Sequence, residues 1–224
     1  LLVLFLFVLW LYWCLFAWWG GRGWVLSDAT RALVLAALEA NRRAVLDADA
    51  LTVFQDDPET LFAKLHPSCV LTPHAGEFAR LFPDLAQAWR NADTIGEAGS
   101  KIRAVQAAAE RAGCCVLLKG ADTVVADPDR QTRVIAAVYD RAAPMLATAG
   151  SGDVLAGFIT GLLAQGYAPL NAAARAAWLH QECGRLFGPG LIAEDIPEVL
   201  PQVLAAEQDY AMTLSLTDSS SPSA

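Results

Sequence analysis

"CVLTPHAGEFARLF", Cys69 to Phe82, reads as a strand, a turn and a helix in direct succession. Cys69, Val70 and Leu71 are continuously apolar, as in a strand buried on both faces. Thr72, Pro73 and His74 then break the run, and a helical pattern begins. The same order recurs on either side. Upstream, "AVLDADAL" (44–51) is a short apolar run closed by Asp47 and Asp49. Downstream, "CCVLLKGADTVVADP" (114–128) reads as two strands around a Lys119–Gly120 turn, and "RVIAAV" (133–138) as another strand. Helical segments lie between and after them. "SDATRALVLAALEANRR" (27–43) carries an N-cap candidate at Ser27 or Asp28 and a stripe of Leu33, Val34, Ala37 and Leu38. "PETLFAKL" (58–65) opens with proline at the first helical position. "EAGSKIRAVQAAAERAG" (97–113) is alanine-rich and ends at Gly113. Further helices are expected from Gly152 to about Gln165, from Pro169 to Phe187, and near "EDIPEVLPQVLAAEQ" (194–208). Short apolar strands alternating with helices predict an α/β fold whose mostly parallel sheet is covered on both faces.

With 224 residues the chain suits one large domain, and a net charge of −8 argues against a nucleic-acid partner. Five cysteines (Cys14, Cys69, Cys114, Cys115, Cys183) show no metal or CxxC spacing and read as buried thiols of a reducing compartment. Residues 1–19 contain no charge, proline or glycine, which meets the length criterion for a membrane span. No basic segment precedes them and no small-x-small site follows, so they fit a secretory signal poorly. A membrane anchor, a buried element and a mistranslated or misjoined start compete; the globular sequence that follows favours the last. The expected organisation is an atypical segment over 1–24, a catalytic domain over 25–208 and a disordered tail over 209–224. The expected location is the cytoplasm, with no membrane partner unless residues 1–19 are genuine.

Polar residues gather where strands end: Asp47 and Asp49 after "AVL", Thr72 to His74 after "CVL", Lys119 and Gly120 after "CVLL". In open α/β sheets ligands bind beyond the carboxyl ends of the strands, so these residues converge on one edge. "LATAGSGDVLAGFITGLLAQG" (146–166) adds the start of a helix. Gly150, Ser151 and Gly152 let backbone N–H groups approach a ligand, and the helix N-terminus offers unpaired donors and a positive dipole end. That combination suits a phosphate. Asp153, in the first turn, is either a base for a hydroxyl attacking phosphorus or an acid that stabilises the helix by about 0.3–1 kcal/mol. Lys119 is either a solvated strand end or a charge for nucleotide phosphates, with Thr123 shaping the turn. His74 is an N-cap, a surface residue or a substrate contact. Gly157 and Gly161, four apart, suggest close helix packing. No Walker A lysine motif, Ser-His-Asp set or zinc spacing is present.

Together, "VLTPHAGEFARLF" (70–82), "VLLKGADTVVADP" (116–128) and "LATAGSGDVLAGFITGLLAQG" (146–166) resemble the ADP-dependent NAD(P)H-hydrate dehydratase family of the ribokinase-like superfamily. "VLDADAL" (45–51) and "FGPGLIAEDIPEVLP" (187–201) fit as well, so the resemblance runs from about Ser27 to Ala205. It implies a three-layer α/β/α sandwich, here incomplete at its N-terminus. It implies that the S-epimer of hydrated NADH or NADPH is dehydrated at the expense of ADP (or ATP), with Mg2+, releasing AMP and phosphate. Asp153 would be the base and touch the hydrate; Gly150, Ser151 and Gly152 would form the anion hole. Lys119, Gly120, Ala121, Asp122 and Thr123, with Gly152, would line the nucleotide, and His74 the hydrated dinucleotide. No metal ligand is assigned, and a homo-oligomer is expected. The alternatives are a vitamin-precursor or sugar kinase of the same superfamily, which the TPHxGE segment disfavours, and an inactive truncated product. Two departures stand out. "GGRGWVLSD" (20–28) replaces the family's G-P-G-L-G turn, and Asp140 and Arg141 lie where relatives carry an asparagine.

Overall fold

The computed structural model describes residues 28–91 and 98–218; the atypical segment 1–24, Cys14, Ser27 and residues 219–224 lie outside them. In chain order the elements are α1 (Asp28–Glu39), β1 (Ala44–Leu46), α2 (Asp49–Thr52), α3 (Pro58–Phe62), β2 (Cys69–Leu71), α4 (Ala75–Leu81) and α5 (Pro83–Asn91). There follow α6 (Ala98–Ala112), β3 (Cys115–Leu118), β4 (Asp122–Ala126) and β5 (Thr132–Ala136). Two 3-10 turns (Tyr139–Arg141, Pro144–Ala147) lead to α7 (Ser151–Ala164), α8 (Pro169–Phe187) and α9 (Asp195–Asp218).

The strands lie in sequence order. β1, β2 and β3 pair in parallel, while β4 runs antiparallel to both β3 and β5. Among the described residues, four of the five strands therefore point the same way and β4 is reversed. That reversal follows from the short Lys119–Ala121 turn, which can join only antiparallel neighbours.

Side chains alternate between the faces. Cys69, Leu71, Val116, Leu118, Val124 and Ala126 meet α1 to α6 on one side. Val70, Cys115, Leu117 and Val125 meet α7 and α8 on the other. This is the expected helix–sheet–helix sandwich. α6 fits closely because its sheet-facing residues are small: Ala104, Ala108, Ala109 and Ala112 are buried around Val105. On the same side Phe62 stacks on Phe82, Phe78 is tilted against Phe82, and Trp89 is edge-on to Phe78. α9 packs beyond α8 through Ile196, Val199 and Val203.

Cys69, Cys114, Cys115 and Cys183 are free and buried, and burial pushes the Cys115 thiol up to about 12, which makes it unreactive.

One packing expectation is corrected. A Cβ on Gly157 or Gly161 meets nothing within 4 Å among the described residues. α7 faces its neighbours with Leu155, Ile159, Leu162 and Leu163, and the two glycines lie off that stripe. The close approach is at Gly184 in α8, where a Cβ would lie 2.6 Å from Leu146 Cγ. α9 continues to Asp218, beyond residue 208 where the sequence placed the end of the domain. Among the described residues no helix is long and apolar enough to cross a membrane.

Candidate active site

The parallel register sets Leu46 level with Leu71, while β3 runs two residues past Val116, the partner of Leu71, and hydrogen bonds lace the three ends together. Thr72 N–H and Oγ1 both donate to Leu46 O, at 3.1 and 3.2 Å, and Lys119 N–H donates to Pro73 O at 2.9 Å. Thr72, noted in the sequence only as a polar strand end, thus ties β2 to β1.

Beyond this edge Lys119 Nζ lies 2.7 Å from Asp47 Oδ1. The first turn of α7 closes over the pair. A Cβ on Gly152 would lie 3.3 Å from Lys119 Nζ and 3.7 Å from Asp47 Oδ2. Glycine is needed here so that the helix backbone can come this near.

α7 starts at Gly150, whose backbone is left-handed at φ 82°. Its carbonyl accepts from Asp153 N–H at 3.1 Å and Val154 N–H at 3.3 Å, and Ser151 N–H reaches Thr148 O only at 3.4 Å. Gly152 N–H has no acceptor among the described residues. The open donor and the positive end of the helix dipole thus lie at the same helix start that the Lys119 ammonium approaches, an arrangement suited to an anion.

Asp153 is half-buried, and its carboxylate makes no hydrogen bond or ion pair among the described residues. Burial raises its pKa, the negative charge of Asp47 and then of Asp49 adds to this, and Lys119 opposes it. Asp49 is itself raised, by burial and then by Glu77. An unpaired carboxylate with raised proton affinity beside an anion site is chemically a proton acceptor.

Two residues that the sequence did not single out hold this arrangement. The first is His180 on α8, 7% exposed, whose Nε2 lies 2.9 Å from Ser151 O and 3.0 Å from Ser151 Oγ. A carbonyl only accepts, so Nε2 carries a proton. Ser151 Oγ is therefore turned inward, and only the backbone of Ser151 is left to serve the anion hole expected of it. Burial, with a smaller effect from Lys119, lowers the His180 pKa to about 4, against the hydrogen bond to Ser151, which raises it.

The unfolded chain therefore binds a proton near pH 6.5 that the folded chain refuses until about pH 4. Stability is lost as pH falls through this window, by up to about 3 kcal/mol, and the loss stops below it. Thermal unfolding followed from pH 7 to pH 4 should show this fall in the native chain and a shallower one in His180→Gln. Equal slopes in the two would contradict it.

The second is Lys101 on α6, 5% exposed. Its ammonium donates to Asp122 O and, at 2.9 Å, to Asp122 Oδ1, and it lies 5.6 Å from the centre of the Trp89 ring. A Cβ on Gly120 would lie 3.0 Å from Lys101 Nζ, so Lys101 supports the Gly120–Asp122 turn from beneath. Thr123 Oγ1 closes the turn onto Gly120 O at 3.1 Å, and Ala121 O accepts from Ala137 N–H at 2.6 Å.

His74 is the N-cap of α4. Its Nδ1 accepts from Gly76 N–H and Glu77 N–H, while Glu77 Oε2 accepts from His74 N–H at 2.8 Å, a reciprocal capping box. The ring sits over Gly76, where a Cβ would lie 2.8 Å from Cε1, which accounts for the glycine in "PHAGE". Nδ1 is committed to the cap. The outer Nε2, 3.5 Å from Glu77 Oε1, is the atom left for a ligand. Arg141, from the departing "VYDRAAPML" segment, pairs with Glu182 on α8 at 2.5 Å.

Among the described residues no three His, Cys, Asp or Glu side chains stand together as a metal cage.

The family model described as NAD(P)H-hydrate dehydratase matches residues 17–203. A bifunctional NAD(P)H-hydrate repair enzyme of Salinibacter ruber is 40% identical over 166 residues, covering 72% of this chain and 28% of that enzyme. An ADP-dependent (S)-NAD(P)H-hydrate dehydratase of Cenarchaeum symbiosum is 35% identical over 190 residues, covering 82% and 60% of the two chains. Among solved structures, the ADP/ATP-dependent NAD(P)H-hydrate dehydratase of Bacillus subtilis, co-crystallised with ATP and Mg2+ and soaked with CoA, superposes with a TM-score of 0.63. It is 26% identical, over 84% of this chain and 64% of that one. A ribokinase-like superfamily protein of Enterococcus faecalis, TM-score 0.61 at 23% identity, shares the fold. The chain thus spans less than two thirds of the length of each of these relatives.

Proposed function

The chain belongs to the NAD(P)H-hydrate dehydratase family, and we propose that it dehydrates the S-epimer of NADH or NADPH hydrate, consuming ADP and releasing AMP and phosphate. The observation that carries this reading is the unpaired, half-buried Asp153 beside the open Gly152 N–H and the Lys119 ammonium. In this reading Asp153 takes the proton of the hydrate hydroxyl as that oxygen attacks the terminal phosphorus of ADP. Gly152 and Gly150 N–H, with the α7 dipole, hold the transferred group, and Ser151 contributes through its backbone alone. Phosphate then leaves with the electron pair of its C–O bond, the neighbouring ring carbon loses a proton to solvent, and the electrons of that C–H bond form the restored ring double bond. Lys119, Gly120, Ala121, Asp122 and Thr123 line the nucleotide, and the outer nitrogen of His74 meets the dinucleotide. Mg2+ would neutralise charge on the nucleotide phosphates; no protein ligand for it is proposed.

The four buried free thiols support a reducing compartment such as the cytoplasm. Leu186, Phe187 and Ile192, exposed and apolar, support a homo-oligomer, which a monomeric mass in light scattering would rule out.

The decisive assay offers the chain hydrated NADH with ADP and, separately, hydroxymethylpyrimidine with ATP. Restored NADH absorbance with AMP release is expected in the first. Turnover in the second alone would show a small-molecule kinase instead.

A further inference from the structure

Asp47 has no part in the reaction just described, yet its carboxylate is bound into the site. Its side chain is 12% exposed and that of Lys119 is 21%, so water screens their 2.7 Å pair weakly. Oδ1 meets the ammonium while Oδ2 lies on the Gly152 side. The next residue, Ala48, is held at φ 48°, ψ −117°, a conformation that alanine avoids. Such strain persists only where the surroundings enforce it, and here it separates two carboxylates. Asp47 faces Lys119, and Asp49 opens α2. An ammonium has three protons to donate, and Asp47 takes one, which leaves donors for an incoming anion.

We propose that Asp47 is a positioning residue: it fixes the Lys119 ammonium against the first turn of α7, so that cation and helix start act on one anion. This deepens the reading in which Asp153 is the base and rests on it. The charged groups around Asp153 are Asp47 beyond β1, Asp49 on α2 with Glu77 of α4 facing it, and Lys119 beyond β3. His180 of α8 lies behind Ser151 and also feels Lys119. Two of these act on Asp153 in opposite senses: Asp47 raises its proton affinity and Lys119 lowers it.

The test measures kcat and the KM for ADP against pH with hydrated NADH as substrate. In Asp47→Asn the repulsion is gone and Lys119 is no longer neutralised, so the acid limb of kcat moves to lower pH. In Lys119→Met it moves to higher pH. Both variants raise the KM for ADP about tenfold, the loss of roughly one charge-assisted contact. A purely structural role for the pair would move neither limb. An unmoved limb in Asp47→Asn, or shifts of the same sign in both variants, overturns the proposal. If Asp47→Asn fails to fold, Asp47→Glu carries the test. It keeps the charge and displaces it, so the limb stays in place while the KM for ADP rises; an unchanged KM overturns the proposal. Failure of the base reading is separate, because it appears as undiminished turnover in Asp153→Asn while the Asp47 variants still report on ADP.

Discussion

Asp153→Asn lowers kcat by about 10²–10⁴-fold, the range associated with losing a general base, and leaves the affinity for ADP within a few-fold of the native value. The substitution is nearly isosteric and removes the proton acceptor alone. Gly152 N–H, the dipole of α7 and the Lys119 ammonium all remain, so the nucleotide site is intact. The competing reading, in which Asp153 only stabilises the helix start, predicts a different outcome. It expects a loss of about 0.3–1 kcal/mol of stability and no effect on chemistry. The two readings also separate in the unfolding data. Burial and the neighbouring carboxylates raise the Asp153 pKa in the folded state, so its ionised form opposes folding once pH exceeds the unfolded value. Asparagine relieves that cost. A variant that is catalytically dead yet melts no lower than the native chain is therefore expected, a common pattern where a charge is kept for chemistry. Single-turnover kinetics with hydrated NADH, ADP titration calorimetry and a melting curve decide it. A kcat within tenfold of native, with a lowered melting temperature, would leave Asp153 as a helix-starting acid.

How much of this was legible in the sequence depended on range. β1, β2 and β3 were legible because each is a continuous apolar run, whereas β4 and β5 open on polar residues and were legible by their apolar centres, β5 remaining largely exposed. The edge that carries the site was legible for the same reason. Where Leu46, Leu71 and Leu118 end the runs, Asp47, Thr72 and Lys119 follow at once. The antiparallel turn back to β4 could be read from the few residues between Leu118 and Asp122.

His180 and Lys101 were not legible. Each is one polar residue on a helix, where the ordinary reading is a solvated face. Their partners, Ser151 and Asp122, lie 29 and 21 residues away in the chain. The glycines failed in an instructive way. Gly157 and Gly161 have the spacing of a packing motif but sit off the buried stripe of α7, whereas the lone Gly184 meets Leu146. Spacing along a helix fixes which residues share a face, but not whether another element lies against that face. The role of Ser151 was half legible: its backbone belongs to the helix start as expected, but its hydroxyl belongs to His180.

The helix start can be tested at Gly150, with Gly157 as the control. Gly150→Ala should lower kcat/KM for ADP by about 10²-fold, near the lower end for loss of an anion-hole donor. The reason is backbone geometry. At φ 82° an L-residue carries a penalty of roughly 1–2 kcal/mol. The new methyl would lie 3.0 Å from Ala193 Cβ, and Ala193 is itself buried, so neither side can yield freely. The chain must relax by moving the turn, and the turn sets the direction of Gly152 N–H, because Gly150 O accepts from both Asp153 and Val154. A stability loss of about 1–2 kcal/mol in a chain of this size corresponds to a melting temperature lower by roughly 2–8 °C. Gly157→Ala, on the same helix, has the opposite sign. Its Cβ meets nothing within 4 Å among the described residues, and alanine in a helix interior is favoured over glycine by about 0.5–1 kcal/mol. That variant should melt higher and keep native turnover. If Gly150→Ala lost stability but kept kcat/KM for ADP within threefold of native, the left-handed glycine would be a fold requirement only, and the anion site would not depend on where α7 begins.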